Sequence, residues 1–95
     1  MGKVQERVDH FMELIKTGRV EEAYDLMFFD HAGRKMRRAL MDWAQNTFPG
    51  CSYHTVIWLL RSGINSKAEA LRLPDKDLLA IPNVGKASLK QIRSN

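Results

Sequence analysis

The sequence predicts an all-α fold, a compact bundle of short helices arranged around a central helix at about residues 52–62. Three observations predict it. Apolar residues recur at i, i+3, i+4 spacing in successive segments, which is the stripe of an amphipathic helix. Glycine and proline punctuate those segments at Gly18, Pro49-Gly50, Gly63 and Pro82. The run Val56-Ile57-Trp58-Leu59-Leu60 is apolar on every face, as expected of a helix covered by neighbours on several sides.

Taken in order, Val4, Val8, Phe11 and Ile15 line one face of a first helix that Gly18 is placed to end. Val20, Ala23, Tyr24 and Met27 resume the spacing, with Glu21 and Glu22 near the positive end of the second helix. The short connection makes these two an antiparallel pair. LIKTGRVEEAYDLM looks like one hairpin of a tetratricopeptide-type repeat, but no second copy follows at a fixed period. Asp30-His31-Ala32-Gly33 reads as a break, after which Met36, Ala39, Leu40, Trp43 and Thr47 form a third helix stopped by Pro49-Gly50. Ser52 is the cap of the central helix, Tyr53 to Ser62, which stops at Gly63. Ser66-Lys67-Ala68-Glu69 has capping-box spacing and opens a fifth helix. Pro74-Asp75 opens a sixth, with the proline at the first helical position.

The chain has 95 residues, 44% hydrophobic and 27% charged, which suits a single soluble globular domain without staples. Within that domain, residues 1–50 form a three-helix portion and 51–95 the hairpin-bearing portion. No run approaches the roughly eighteen apolar residues of a membrane span. Acids as early as Glu6 and Asp9 fit neither a signal nor a transit peptide, so a cytoplasmic location is expected. The lone Cys51 reads as a buried thiol. His10, His31 and His54 are scattered, without a second cysteine, HExxH or glycine-rich phosphate loop. The reading is therefore of a protein that is not an enzyme and needs no cofactor or metal.

The formal net charge is +4. Residues 1–50 balance eight bases with eight acids, whereas residues 51–95 set seven bases against three acids and hold the whole excess. A basic half suits a polyanionic partner. In the neutral half, Arg34, Lys35, Arg37 and Arg38 cluster on the third helix, either to grip phosphate or as a solvated face.

The most specific string runs from Leu78 to Ile92 and matches a helix-hairpin-helix. Leu78 and Ile81 close one helix, Pro82 stops it, Val84 anchors the tip, and Leu89 and Ile92 dock the next helix. Asn83 is suited to a left-handed backbone position, and Gly85 allows a tight helix start. Free backbone N–H groups from Val84 to Lys86 form a place for one backbone phosphate, with Lys86 as the cation and Ser88 as a hydroxyl donor. Such contacts position a nucleic acid without reading its sequence.

From Ser52 to Arg93 the chain resembles the C-terminal domain of the bacterial RNA polymerase α subunit, most distinctively in Pro82-Asn83-x-Gly85-Lys86-x-Ser88-Leu89. The resemblance implies a compact helical fold that binds the minor groove of promoter DNA and contacts transcription factors, with hairpin contacts at Gly85 and Ser88. The sequence departs from the family where its groove-entering arginine is His54, its next asparagine Ile57, its lysine before the serine Ala87, and its later glutamate Gln91. The family continues into a further helix past the position of Asn95. Here either the chain continues or the N-terminal helices replace that helix. The apolar Ile57 and Trp58 call for a cover, and the N-terminal helices are expected to supply it.

Two functions follow. The first is a nucleic-acid-binding module, bacterial or phage and transcription-associated, that contacts DNA through Asn83, Val84, Gly85, Lys86, Ser88, Lys90 and Gln91, with His54 and Arg61 on the central helix and Arg93 flanking the hairpin. The second is a protein-interaction module that docks on RNA polymerase or a transcription factor and uses the hairpin as scaffold. DNA versus RNA and the oligomeric state stay open.

Overall fold

The computed structural model describes residues 2–94, so the reading at Asn95 lies outside it. Among the described residues there are seven helices and no strand: α1 (Gly2–Lys16), α2 (Val20–Asp25), α3 (His31–Thr47), α4 (Tyr53–Arg61), α5 (Lys67–Leu71), α6 (Asp75–Leu79) and α7 (Lys86–Arg93). The all-α bundle is as the periodicity predicts. α1 packs on α2 and α3, α5 and α6 pack on α7, and α4 touches α2 and α3. The molecule is elongated, 43 × 21 × 20 Å.

One cluster of buried side chains runs through both portions, from Val8, Phe11 and Ile15 through Met36, Leu40 and Phe48 to Val56, Leu60, Leu78 and Ile92. Polar groups reinforce the join. The Asn65 side chain donates to the carbonyl of Lys16 at 2.9 Å, satisfying one of the carbonyls a helix leaves free at its C-terminus. Gly18 takes a positive φ of 82°, as the end of α1 requires. Ile57 is only 3% exposed and Trp58 is half-buried, so the apolar face of α4 has its cover, with α2 and α3 against it.

Three local readings need correction. Asp30-His31-Ala32-Gly33 is no break. Asp30 is the N-cap of α3, accepting from the Gly33 N–H at 2.8 Å, and the true break is Leu26–Phe29. That hydrogen bond first, and Arg7 after it, hold the Asp30 carboxyl below its ordinary value of 3.8. In α5, Ser66 Oγ accepts from the Glu69 N–H at 3.2 Å, but Glu69 reaches the N–H of Asn65 instead of completing the box on Ser66. Pro74 is the N-cap of α6, one position before the first helical residue. Ser52 caps α4 as expected, accepting from the Thr55 N–H. Cys51 is buried, and burial pushes its thiol up.

Candidate functional site

The hairpin between α6 and α7 is set by local chemistry. Val84 N–H donates to the carbonyl of Ile81 at 3.1 Å, which closes the turn, so it is not among the free N–H groups that the sequence places from Val84 to Lys86. Asn83 takes a φ of 67°, the left-handed region that asparagine tolerates best among residues with a side chain. Val84 is 4% exposed and pins the tip to the core. Beyond it Gly85 is the N-cap of α7, with no side-chain cap. Its φ of −102° and ψ of −170° are ordinary extended values, and a Cβ there would meet nothing within 4 Å. Neither conformation nor internal packing demands glycine at this position. What glycine leaves there is an open approach to the start of a helix whose first N–H groups, at Lys86, Ala87 and Ser88, have no partners within that helix.

A buried hydroxyl joins this turn to α4. Thr55 Oγ1 donates to the carbonyl of Asn83 at 3.1 Å, and it lies 3.1 Å from Ser52 Oγ and 3.4 Å from Ser88 Oγ. Since its single proton goes to Asn83, Thr55 accepts from the two serines. Thr55 is the sole buried polar residue among those described, and sequence reasoning missed it. The available signal was a hydroxyl directly before the run Val56-Ile57-Trp58-Leu59-Leu60, which is apolar on every face. The same link places His54, the exposed neighbour of Thr55, on the end of α4 that meets the hairpin. Its ring centroid lies 4.4 Å from that of Tyr53, with the two rings tilted by 38°.

The sequence-predicted residues therefore divide. Asn83, Gly85 and Lys86 are exposed around the turn, Ser88 is half-buried behind it, and Lys90 is exposed further along α7. His54 adjoins them. Gln91 is exposed, yet its side chain lies so close to Gly50 that a Cβ there would collide with it. It thus lies against the turn after α3. Arg61 is not beside the hairpin chemistry at all. It sits at the opposite end of α4, with Nε 2.8 Å from Glu21 Oε2 and its guanidinium over the rings of Trp58, at 4.9 Å, and Tyr24, at 5.7 Å. The charge that looked free in the sequence is engaged by α2.

Arg93 is likewise occupied. Its guanidinium donates to the Asp75 carboxylate at 2.8 Å and to the carbonyls of Leu73 and Leu71 at 2.6 and 3.3 Å. A planar fork with several donors suits this role, since one side chain then closes the start of α6 and the end of α5 onto α7. Arg93 fixes the hairpin's geometry and Lys86 and Lys90 are left as its exposed cations. Among the described residues, no three of His, Cys, Asp and Glu gather where they could hold a metal ion, and no helix is long and apolar enough to cross a membrane. Comparison of the chain with known protein families, with curated proteins and with solved structures finds no match.

Proposed function

We propose that the chain is a non-catalytic nucleic-acid-binding module that holds a DNA backbone phosphate at the start of α7. The carrying observation is the uncapped first turn of α7 behind Gly85, open to solvent, with Lys86 exposed on it. A phosphate there would accept the N–H groups that no side chain caps and meet the positive end of the helix. Ser88 supports this reading. Its contact to Thr55 is long, at 3.4 Å, so little is lost when the hydroxyl turns outward to a phosphate oxygen. Lys90 and His54 extend the contact along and beside the hairpin. The resemblance to the RNA polymerase α C-terminal domain makes the role transcription-associated, in the cytoplasm of a bacterium or a phage-infected cell, with all 95 residues acting as one unit.

A second reading has the hairpin as scaffold, with the chain docking on RNA polymerase or a transcription factor. It is favoured by the internal use of Arg61 and Arg93, which withdraws two of the seven bases of residues 51–95 from DNA. Titrating a labelled duplex by fluorescence anisotropy at two salt concentrations separates the two. Two phosphates neutralised by Lys86 and Lys90 give a log–log salt slope of about −1.8, and Lys86→Glu weakens binding and flattens the slope by about 1. Salt-insensitive binding to a polymerase subunit, with none to the duplex at low salt, would establish the second reading.

A further inference from the structure

The densest unpaired charge lies away from the hairpin, on the outer face of α3. Arg34, Lys35, Arg37 and Arg38 are all exposed, and none makes an ion pair within 4 Å among the described residues. Arg7, Arg19, Arg61 and Arg93, by contrast, each hold a carboxylate. The cluster works against its own helix, because like charges three and four residues apart repel. Asp42 is the acid on this face, and it pairs with none of them.

The same face is not purely polar. Met41 is 48% exposed and shares an open surface depression with Arg34, Arg37, Arg38 and Asp42. Immediately before α3, Phe28 and Phe29 are 60% and 96% exposed. The backbone there is held, since the Phe28 carbonyl packs on Gly33 inside the first turn of α3. A large apolar side chain kept in water among unpaired cations, as Met41 is, is a composition typical of interfaces, where methionine and arginine are enriched.

We propose that this face of α3 docks an acidic segment of another protein, with carboxylates on Arg34, Arg37 and Arg38 and an apolar side chain seated on Met41 between them. Charge complementarity chooses the occupant. A second copy meeting this face through the same face would bring more positive charge, and a phosphate backbone would match the cations but leave Met41 in water. The inference does not rest on the hairpin reading, because the two faces involve different residues.

The probe is a fluorescein-labelled helical peptide with glutamates on one face and leucines on the other, titrated by anisotropy beside a duplex DNA. The expected result is binding that the Arg34→Glu/Arg37→Glu/Arg38→Glu variant weakens by roughly tenfold or more. Met41→Gln, or replacing the peptide's leucines by glutamine, weakens it about threefold, and Lys86→Glu leaves it unchanged. Amide shifts on peptide addition fall in α3 and residues 28–29. All three charge positions are exposed, so a thermal melt and Met41→Gln guard against a variant that fails to fold. The proposal is overturned if the peptide does not bind, if it binds equally without its leucines or to the triple variant, or if duplex binding is abolished by the triple variant and untouched by Lys86→Glu. Failure of the hairpin reading shows separately, as duplex binding insensitive to Lys86→Glu.

Discussion

Residues 1–50 are neutral and residues 51–95 carry the whole net charge of +4, yet in three dimensions the emphasis reverses. In the basic half, Arg61 is held by Glu21 and Arg93 by Asp75, leaving Lys86 and Lys90 as the exposed cations of the hairpin. In the neutral half, the acids lie mostly on α1 and α2, while Arg34, Arg37 and Arg38 share one face of α3 with no ion-pair partner among the described residues. Charge summed over a segment reports composition. Charge on a face depends on the 100° between successive helical residues and on which neighbours reach across. The two halves also start their key helices differently: α3 is capped by Asp30 and tightly closed at Gly33, whereas α7 opens on an uncapped, uncrowded Gly85.

The largest expected effect sharpens that last contrast. Alanine is the better helix former by about 1 kcal/mol, so propensity alone favours Gly33→Ala. A Cβ at Gly33, however, would collide with the backbone carbonyl of Phe28, which no side-chain rotation can relieve. The clash outweighs the propensity gain, and a net loss of about 2–3 kcal/mol is expected in urea unfolding. A neutral or stabilising substitution would show that the α2–α3 loop is free to move away.

Next in size is the buried hydroxyl between the halves of the site. Thr55→Val keeps the shape but leaves the Asn83 carbonyl without its donor and removes the acceptor shared by Ser52 and Ser88. The cost should be about 1.5 kcal/mol, with faster amide exchange in α7. If exchange quickens at α1 and α3 instead, Thr55 stabilises the core and does not order the hairpin.

How much of this was legible depends on the range of the interactions. The hairpin was readable because its demands are local: a left-handed Asn83, an anchoring Val84 and a stop at Pro82 within a few residues of one another. The all-α bundle followed from periodicity for the same reason. The start of α3 was misread because His31 and Gly33 are poor helix formers, and only the approach of the Phe28 carbonyl, a tertiary fact, explains the glycine. The pairing of Arg61 was not legible because Glu21 lies forty residues earlier in the chain, and no spacing rule connects them. Thr55 escaped because its partners Asn83 and Ser88 come together only when α7 folds back onto α4.

Arg61→Ala tests whether that pairing takes Arg61 out of the site. Removing the pair with Glu21 and the guanidinium over Trp58 and Tyr24 should lower stability by about 1 kcal/mol and leave duplex affinity unchanged. Lys86→Glu should do the reverse, weakening binding while the melt holds or rises slightly, since an acid suits the first turn of a helix. A drop in affinity for Arg61→Ala would return the far end of α4 to the site.

Smaller again is an acid-side effect at the start of α3. The Asp30 carboxyl is held below 3.8 by the Gly33 N–H and Arg7, so its charged form favours the folded state. The resulting stability is present above the ordinary carboxylate value and is lost as pH falls through the lower folded value. Asp30→Asn keeps a capping oxygen but has no such proton to take up. Urea midpoints measured at neutral pH and near pH 3 should therefore fall less steeply in Asp30→Asn than in the parent. Equal acid sensitivity would assign the loss to other carboxylates.

The smallest expected change in stability carries the most information about function. Gly85 is the N-cap of α7 and lacks an oxygen to offer the first-turn N–H groups, whereas serine at that position supplies one. With extended φ and ψ and open space before it, Gly85→Ser introduces no strain. The substitution should stabilise the protein by a few tenths of a kcal/mol, since serine caps slightly better than glycine. Duplex affinity should fall in the same variant, because the hydroxyl then occupies N–H groups that the phosphate needs and its bulk stands in the approach. These opposite signs separate a helix start left open for a ligand from one that merely lacks a cap: if Gly85→Ser gains stability and keeps full affinity, the phosphate is not bound at the start of α7.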